Sequence, residues 1–357
     1  MGNTYRILVI NFGSTSTKLA LYENETEICK KSVSHTSEEV QGAKTLYDQA
    51  PFRKQAVMDF LNDHNLKLSD LSAIAPRPGL TPSLEPGAYI VNERMVDCLL
   101  HWPVDVHVMN MSAVVAYELA KPLGIPVYSY DCPTMDQMLP EAKITGFPEI
   151  MRNSIVHIEN MREVGFRAAK EIGRPYEDLN LIIAHLGGGI TMGLHRKGRI
   201  VDLNGDDTAY FCPERSGSFP SGYFADLCYS GKYDHATMRR RVRGRGGLYA
   251  HLGTSDCIEV ERRIENGDEH ARLIYYTMAY QLAKGIGMLA VANAGDIDRI
   301  LLTGGLANSK MLTDWITEKV SFIAPVMLYP GEYEIEHAAL GVLRVLRGEE
   351  KAQVFDL

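Results

Sequence analysis

The stretch RILVINFGSTSTKLALY, Arg6 to Tyr22, decides how this chain is read. The apolar run Ile7-Leu8-Val9-Ile10 stops at Asn11. Small and hydroxyl residues follow from Gly13 to Thr17, then Lys18, and Leu19-Ala20-Leu21-Tyr22 returns. Strand, tight polar turn, strand is a β-hairpin pattern. Gly13 lets the backbone turn sharply, and the amide, hydroxyls and backbone N–H groups of such a tip suit an anionic, oxygen-rich ligand. The spacing is not that of a Walker loop, and no helix pattern follows directly. A Ser/Thr-rich surface hairpin explains the tip alone equally well.

Outward from this hairpin the same design recurs. Leu181–Leu194 reads LIIAHLGGGITMGL, which places His185 opposite Asn11 and Gly187 opposite Gly13. Its tip, Gly187, Gly188 and Gly189, offers backbone amides where the first offers side chains. Two such hairpins, each opening an α/β half, predict a duplicated domain with the tips facing across a cleft. A third glycine turn follows the strand Ile300–Thr303: Gly304-Gly305-Leu306-Ala307-Asn308, then a helix from Ser309 to Val320. A helix start after Gly-Gly suits phosphate through free N–H groups and the positive dipole end.

Between these motifs the spacing predicts a third strand within Glu25–Ser34 and a helix over Phe52–His64. A strand over Ser72–Ala75 leads into Pro76-Arg77-Pro78-Gly79. The prolines stiffen the backbone around Arg77, which suits an anion clamp, although a surface arginine in a Pro/Gly loop is the plainer reading. A helix over Met111–Ala120 precedes a strand over Ile125–Tyr130, which delivers Asp131 to a strand end, where α/β sheets bind ligands or where turns are capped. His157 stands near the start of a helix ending at Ile172. Glu214-Arg215-Ser216-Gly217 lies in the irregular stretch Asn204–Gly222, long enough to suggest a functional loop. The run Arg239–Arg245 reads as a solvated helix face and turn. Asp256–Glu265 and Asp268–Asn293 read as helices. The second has a buried stripe at Ile274, Met278, Leu282, Ile286 and Leu289, and its Gly285 and Gly287 mark close packing. Pro325–Leu328 is a last strand, Tyr329–Glu336 an acidic loop, and Ala338–Leu346 a closing helix able to lie back on the first module.

With 357 residues the chain is long enough for about two domains. The expected division is an N-terminal lobe over 1–155 and a nucleotide-binding lobe over 156–335, with a helix within 336–357 completing the first. A net charge of −8 argues against nucleic-acid binding, so an anionic ligand needs local positive charge. No apolar run approaches ~18 residues and Met1–Asn11 has no signal pattern, so no membrane partner and a cytoplasmic location are expected. The six cysteines show no CxxC spacing and read as reduced thiols. Three glycine turns with isolated arginines and acids in loops are the parts of a two-lobed phosphotransferase.

In their order and spacing, VINFGSTSTKLALY, AHLGGGI, PERSG, LLTGGLANS and ALGVLRVLRGEE resemble the butyrate kinases of the acetate and butyrate kinase family, over about Arg6–Glu350. The resemblance implies the α/β, duplicated ribonuclease H-like and actin-like two-lobed fold of the hexokinase–actin–heat-shock chaperone superfamily, with an interdomain cleft. It implies reversible Mg²⁺- and ATP/ADP-dependent phosphorylation of a short-chain carboxylate to an acyl phosphate, in a homodimer. By that resemblance Asn11, Ser14, Ser16 and Lys18 form the first phosphate motif. Arg77 and Arg215 hold the carboxylate and the migrating phosphoryl group. Asp131 positions metal or nucleophile, and His157 stands near the transferring phosphoryl. His185 with Gly187, Gly188 and Gly189 forms the second phosphate motif, Gly304, Gly305 and Asn308 the adenosine motif, and Asp256 the nucleotide-side acid. The metal would be held by Asn11, Asp131 and Glu334, with Glu332 the other register for the last. The chain departs from the family where Pro76-Arg77-Pro78-Gly79 replaces a Gly-Arg-Gly-Gly run, where His107–Asn110 lines the acyl side, and over Asn204–Phe211. The rival readings are an acetate, propionate or sugar kinase of the same superfamily and a non-catalytic nucleotide binder on the actin-like fold.

Overall fold

Strand β1 (Arg6–Phe12) is buried along nearly its whole length, because its two faces close two different cores. Leu8, Ile10 and Phe12 pack with Val57, Phe60, Leu61 and Val114. Ile7 and Val9 pack with Ala338, Ala339, Val342 and Leu343 of the closing helix. Period-two alternation within one apolar run therefore splits the residues between helices on opposite sides. β1 pairs antiparallel with β2 (Ser16–Glu23), β2 with β3 (Thr26–Ser34), and β1 parallel with β4 (Ala73–Pro76), giving the order β3-β2-β1-β4. Beside β4, Ile74 bridges Val127 in parallel, just before β5 (Ala88–Ile90) meets its antiparallel partner β6 (Tyr128–Tyr130).

In this computed structural model the described residues are 3–36, 38, 40, 45–205 and 210–357, and the chain forms two units, Met1–Asp136 with Tyr333–Leu357, and Gln137–Glu332. The second unit repeats the first. β7 (Asn180–His185) pairs antiparallel with β8 (Thr191–Arg196), β8 with β9 (Arg199–Asn204), and β7 parallel with β10 (Arg299–Gly304), which pairs with β11 (Val326–Pro330). The order is β11-β10-β7-β8-β9. In both units the register shifts between the second and third strands, at Leu21/Tyr22 and at Leu194/His195. The duplication expected from two matching hairpins is thus carried through topology and register. Behind the second sheet the helix Glu269–Ala292 buries Tyr275, Met278, Leu282, Ile286 and Leu289. Ile274 is only partly buried against that core, while the adjacent Tyr275 is fully enclosed.

Five expectations are corrected. The first unit ends at Asp136, not at 155, because the segment after it is tied to the second sheet. Gln137 Oε1 accepts from the Ile200 N–H at 3.1 Å, Leu139 N–H donates to Val201 at 2.9 Å, and Arg152 pairs with Asp202 at 3.1 Å. The strand expected over Ile125–Tyr130 is regular only over Tyr128–Tyr130, since Pro126 has no N–H for the ladder. The acidic loop shrinks to Gly331–Tyr333, with Glu334 and Glu336 in the first turn of the helix Glu334–Leu346. A Cβ on Gly285 would lie 3.1 Å from the Tyr210 ring, but one on Gly287 would meet nothing within 4 Å, so only Gly285 marks close packing. The helix after the third glycine turn is preceded by a 3-10 turn, Gly305–Asn308, and one of its first N–H groups, that of Leu312, donates to the Ser309 side chain at 3.0 Å. The closing helix does lie on the first unit, where the absent side chain of Gly341 leaves room for the Tyr130 ring. Of the divergent stretch Asn204–Phe211, residues 206–209 lie outside the described residues.

Candidate active site

In the first unit the hydroxyl tip is held from beneath by Arg53, a fully buried residue on the helix Ala50–Asp63. Its Nη2 donates to the Gly13 carbonyl at 3.0 Å and its Nη1 to the Ser16 carbonyl at 3.1 Å and Thr17 Oγ1 at 3.2 Å. Gln49 Oε1, one helical turn earlier, accepts from Nε and Nη2, and the guanidinium stacks on Phe12 and Phe52. Burial lowers the Arg53 pKa to about 10, so it stays charged at neutral pH. Below the anion-suited tip there is thus a fixed cation that sequence reading missed. Its signal was available: Arg53, Ala56, Val57 and Phe60 share one i, i+3, i+4, i+7 face, where an arginine is out of place unless it is paired. Ser14 and Lys18 face solvent, Ser16 is half-buried, and Asn11 is buried.

Arg77 continues the β4 edge, with its N–H bonded to Ile10 at 2.7 Å and its Nη1 donating to Asn11 Oδ1 at 3.4 Å. The loop beyond it is tied to the turn after β6: Cys132 Sγ donates to Gly79 at 3.2 Å and Thr134 Oγ1 to Thr81 at 2.6 Å. At the head of that turn, Asp131 adopts φ +53°, which Asp tolerates better than most residues. Its carboxylate is fully buried; Oδ1 accepts from Gly87 N–H at 2.9 Å, and Oδ2 lies 2.7 Å from His337 Nε2 on the closing helix. The structure therefore brings Asn11, Arg77 and the Asp131 turn together within the first unit. It adds His337 from a point 206 residues away in sequence, beyond any local pattern.

In the second unit His157 immediately precedes the helix Ile158–Ile172, and its ring stacks on His185 with centroids 4.0 Å apart and planes 12° from parallel. Thr191 Oγ1 lies 2.8 Å from His157 Nδ1. The glycine tip is filled by the PERSG loop. A Cβ on Gly189 would stand 2.3 Å from the Arg215 guanidinium carbon, and one on Gly188 3.3 Å from the Glu214 carboxylate. Glu214 N–H donates to Gly188 at 3.2 Å and Cys212 Sγ to the same carbonyl at 3.3 Å. Gly189 leaves the space that the Arg215 guanidinium occupies and Gly188 lets the Glu214 carboxylate come close, a packing reason beyond the bare-backbone role read from sequence. Gly304, at φ +86°, sits where a Cβ would strike the Leu186 carbonyl at 2.4 Å, so the third glycine turn is packed against the second tip. Gly305 and Asn308 are exposed, and Asn308 Nδ2 donates to Gly305 at 3.0 Å. Asp256 caps the helix Cys257–Glu265, accepting from Ile258 and Glu259 N–H, and Glu261 of that helix accepts from Ser309 Oγ just after the third glycine turn. Glu332 is exposed and its charge acts on His185, whereas Glu334 belongs to the first unit.

Burial drives His185 down to a pKa of about 4; Glu332 pulls it up and Arg215 pushes it further down. His195, fully buried beside Tyr176, falls to about 3 for the same leading reason. Both rings are neutral in the folded chain, while an unfolded imidazole takes up a proton near pH 6.5. The unfolded state thus binds more protons in the window from 6.5 down to about 4, and stability falls as pH falls through it. The two histidines together should cost up to about 3 kcal/mol per pH unit there. Urea unfolding at pH 7 and pH 5 checks this, and equal midpoints would refute it.

Residues 151–326 match the model of the Acetokinase family. An acetate kinase from Porphyromonas gingivalis superposes with a TM-score of 0.78 at 18% identity, covering 95% of this chain and 99% of that one. A propionate kinase from Francisella tularensis subsp. tularensis superposes with a TM-score of 0.74 at 18% identity, covering 94% and 98%. Together with the repeated sheets, this defines the duplicated, actin-like fold of such kinases. Butyrate kinase 2 from Clostridium acetobutylicum is 42% identical over 353 residues, covering 98% of this chain and 99% of its own. The chain belongs to the acetate and butyrate kinase family and is a carboxylate phosphotransferase with ATP/ADP as co-substrate.

Proposed function

We propose that this protein reversibly phosphorylates butyrate, or a closely related short or branched acid, at the expense of ATP. The observation that carries the reading is the cluster of His157, His185 and Arg215 on the glycine tip, in a chain 42% identical to a butyrate kinase along nearly its whole length. A short-chain carboxylic acid is ionised at neutral pH, so no strong general base is needed. A carboxylate oxygen attacks the γ-phosphorus while the bond to the ADP oxygen breaks, and the phosphoryl group passes between two anions. The work of the chain is then to hold the reactants and offset charge. In the first unit Arg77 offers a guanidinium steadied by Asn11; in the second Arg215 is seated on Gly189. Asp131 acts as a positioning residue, since both its oxygens are engaged and its turn braces the Arg77 loop.

Mg²⁺ would neutralise charge on the nucleotide phosphates, and such an ion usually takes only one or two carboxylates from protein. Glu332, exposed beside His185, fits that role. Asn11 and Asp131 fit it poorly, because their oxygens already bind Arg77, Gly87 and His337. A cytoplasmic homodimer completes the reading, by analogy with the family.

A coupled ADP-release assay with Mg-ATP across C2 to C6 straight and branched acids tests the assignment. Turnover highest for the C4 acids is expected, with differences of ~1–3 kcal/mol in the transition state per methylene. A maximum at acetate or propionate would reassign the substrate. No ADP release with any acid would favour a nucleotide-binding protein without catalysis.

A further inference from the structure

We propose that Thr191 is a positioning residue that fixes the tautomer of His157, so that the imidazole presents an Nε2–H donor. This rests on the reading above only in placing His157 beside the transferring phosphoryl group. Thr191 opens β8 directly opposite His185 and is completely buried. Its Oγ1 lies 3.2 Å from the His157 backbone N and 2.8 Å from His157 Nδ1. A backbone N–H can only donate, so Oγ1 is its acceptor. The hydroxyl has one proton to give, and among the described residues Nδ1 is the remaining partner of Oγ1. Were Nδ1 protonated as well, the hydroxyl would face two donors and its own proton would be buried unused, at a cost of about 1–3 kcal/mol. The consistent arrangement has the threonine O–H donating to Nδ1, and the proton of the neutral ring then sits on Nε2.

Two further features hold the ring. His185 lies flat against it, and an uncharged neighbour at that distance limits rotation without repelling it. The His157 backbone is pinned by the same hydroxyl just before the helix Ile158–Ile172 begins. The result is a hydrogen-bond donor oriented before substrate arrives, the arrangement in which a donor acts on developing charge without reorganisation. No residue-type motif exposes this, because Thr191 reads as one β-branched residue of a strand.

The test compares Thr191→Val, which keeps shape and loses the hydroxyl, with Thr191→Ser, which keeps the hydroxyl. The first readout is the imidazole ¹⁵N spectrum of the full-length protein at neutral pH, with His157 assigned from the His157→Gln spectrum. In the wild type His157 should show an unprotonated Nδ1 and a protonated Nε2. Thr191→Val should lose that pattern and lower kcat roughly 10²-fold, the scale of one misplaced preorganised donor, with KM for ATP little changed. Thr191→Ser should recover the pattern and most of kcat. A protonated Nδ1 in the wild type overturns the proposal even if Thr191→Val does not fold. So does a Thr191→Val protein with wild-type kcat, or a Thr191→Ser protein as impaired as the valine variant. A wild type with the expected tautomer but no carboxylate kinase turnover would instead remove the functional reading.

Discussion

Arg215→Ala is expected to leave the protein folded and to lower kcat by about 10³-fold or more, the effect of removing a guanidinium that stabilises a transferring phosphoryl group. The argument is one of place and charge. The Arg215 backbone belongs to a loop whose carbonyls and N–H groups bond to Cys212, Gly188, Gly244 and Gly246. The alanine variant keeps those bonds, so the loop should stand without the side chain. The guanidinium occupies the space in front of Gly189, and its charge reaches His185 strongly enough to lower that group's pKa. Two approaching anions repel by several kcal/mol at ~4 Å and intermediate dielectric. A fixed cation there offsets that repulsion, and Arg215→Lys should restore little, because a point charge on a flexible stem lacks the planar fork. Steady-state kinetics with a thermal unfolding curve separate the two effects; near-normal turnover in the folded variant would exclude the role.

Gly247→Ala is expected to be the most damaging single methyl group in the second unit. Gly247 has φ +56°, and a Cβ there would stand 1.7 Å from the Cys212 carbonyl oxygen and 2.7 Å from that of Arg215. Neither is a side-chain tip that can swing away. The helix Gly247–Leu252 is bonded to the same loop, Leu248 N–H donating to Cys212 at 3.2 Å and Tyr249 N–H to Pro213 at 3.1 Å. The left-handed backbone costs roughly 1–2 kcal/mol for a non-glycine residue. Relieving the overlap adds about 1–3 kcal/mol. A loss of about 2–5 kcal/mol should lower the urea midpoint sharply. Because the strained segment carries Arg215, activity should fall in whatever fraction stays folded. An unchanged midpoint would show that the loop can shift freely.

Much of the candidate site was legible because it is local. An apolar run that ends in a glycine or hydroxyl turn and returns as another apolar run is a hairpin by neighbour interactions alone, and its recurrence at Leu181–Leu194 disclosed the duplication. Arg77, His157, His185 and Arg215 stand beside turns and strand ends, where α/β folds place ligand sites. Element ends were less secure: Pro126 broke the ladder of an apolar strand, and Glu334 opens the closing helix, where an acid in the first turn suits the helix dipole.

By itself the sequence determined the two α/β halves, the hairpin tips, the family and most of the residues around the glycine turns, since these depend on spacing of a few residues. Only the tertiary structure decided what each is held by. Arg53 beneath the first tip, Thr191 against His157, His337 against Asp131 and Glu214 in the space of Gly188 are pairings across 26 to 206 residues. A buried polar group must find its partner wherever the packed chain brings one, and that requirement leaves no periodic trace in sequence. The opening hairpin shows the division plainly: its strands follow from their own residues, but the conformation of its tip depends on an arginine from a distant helix.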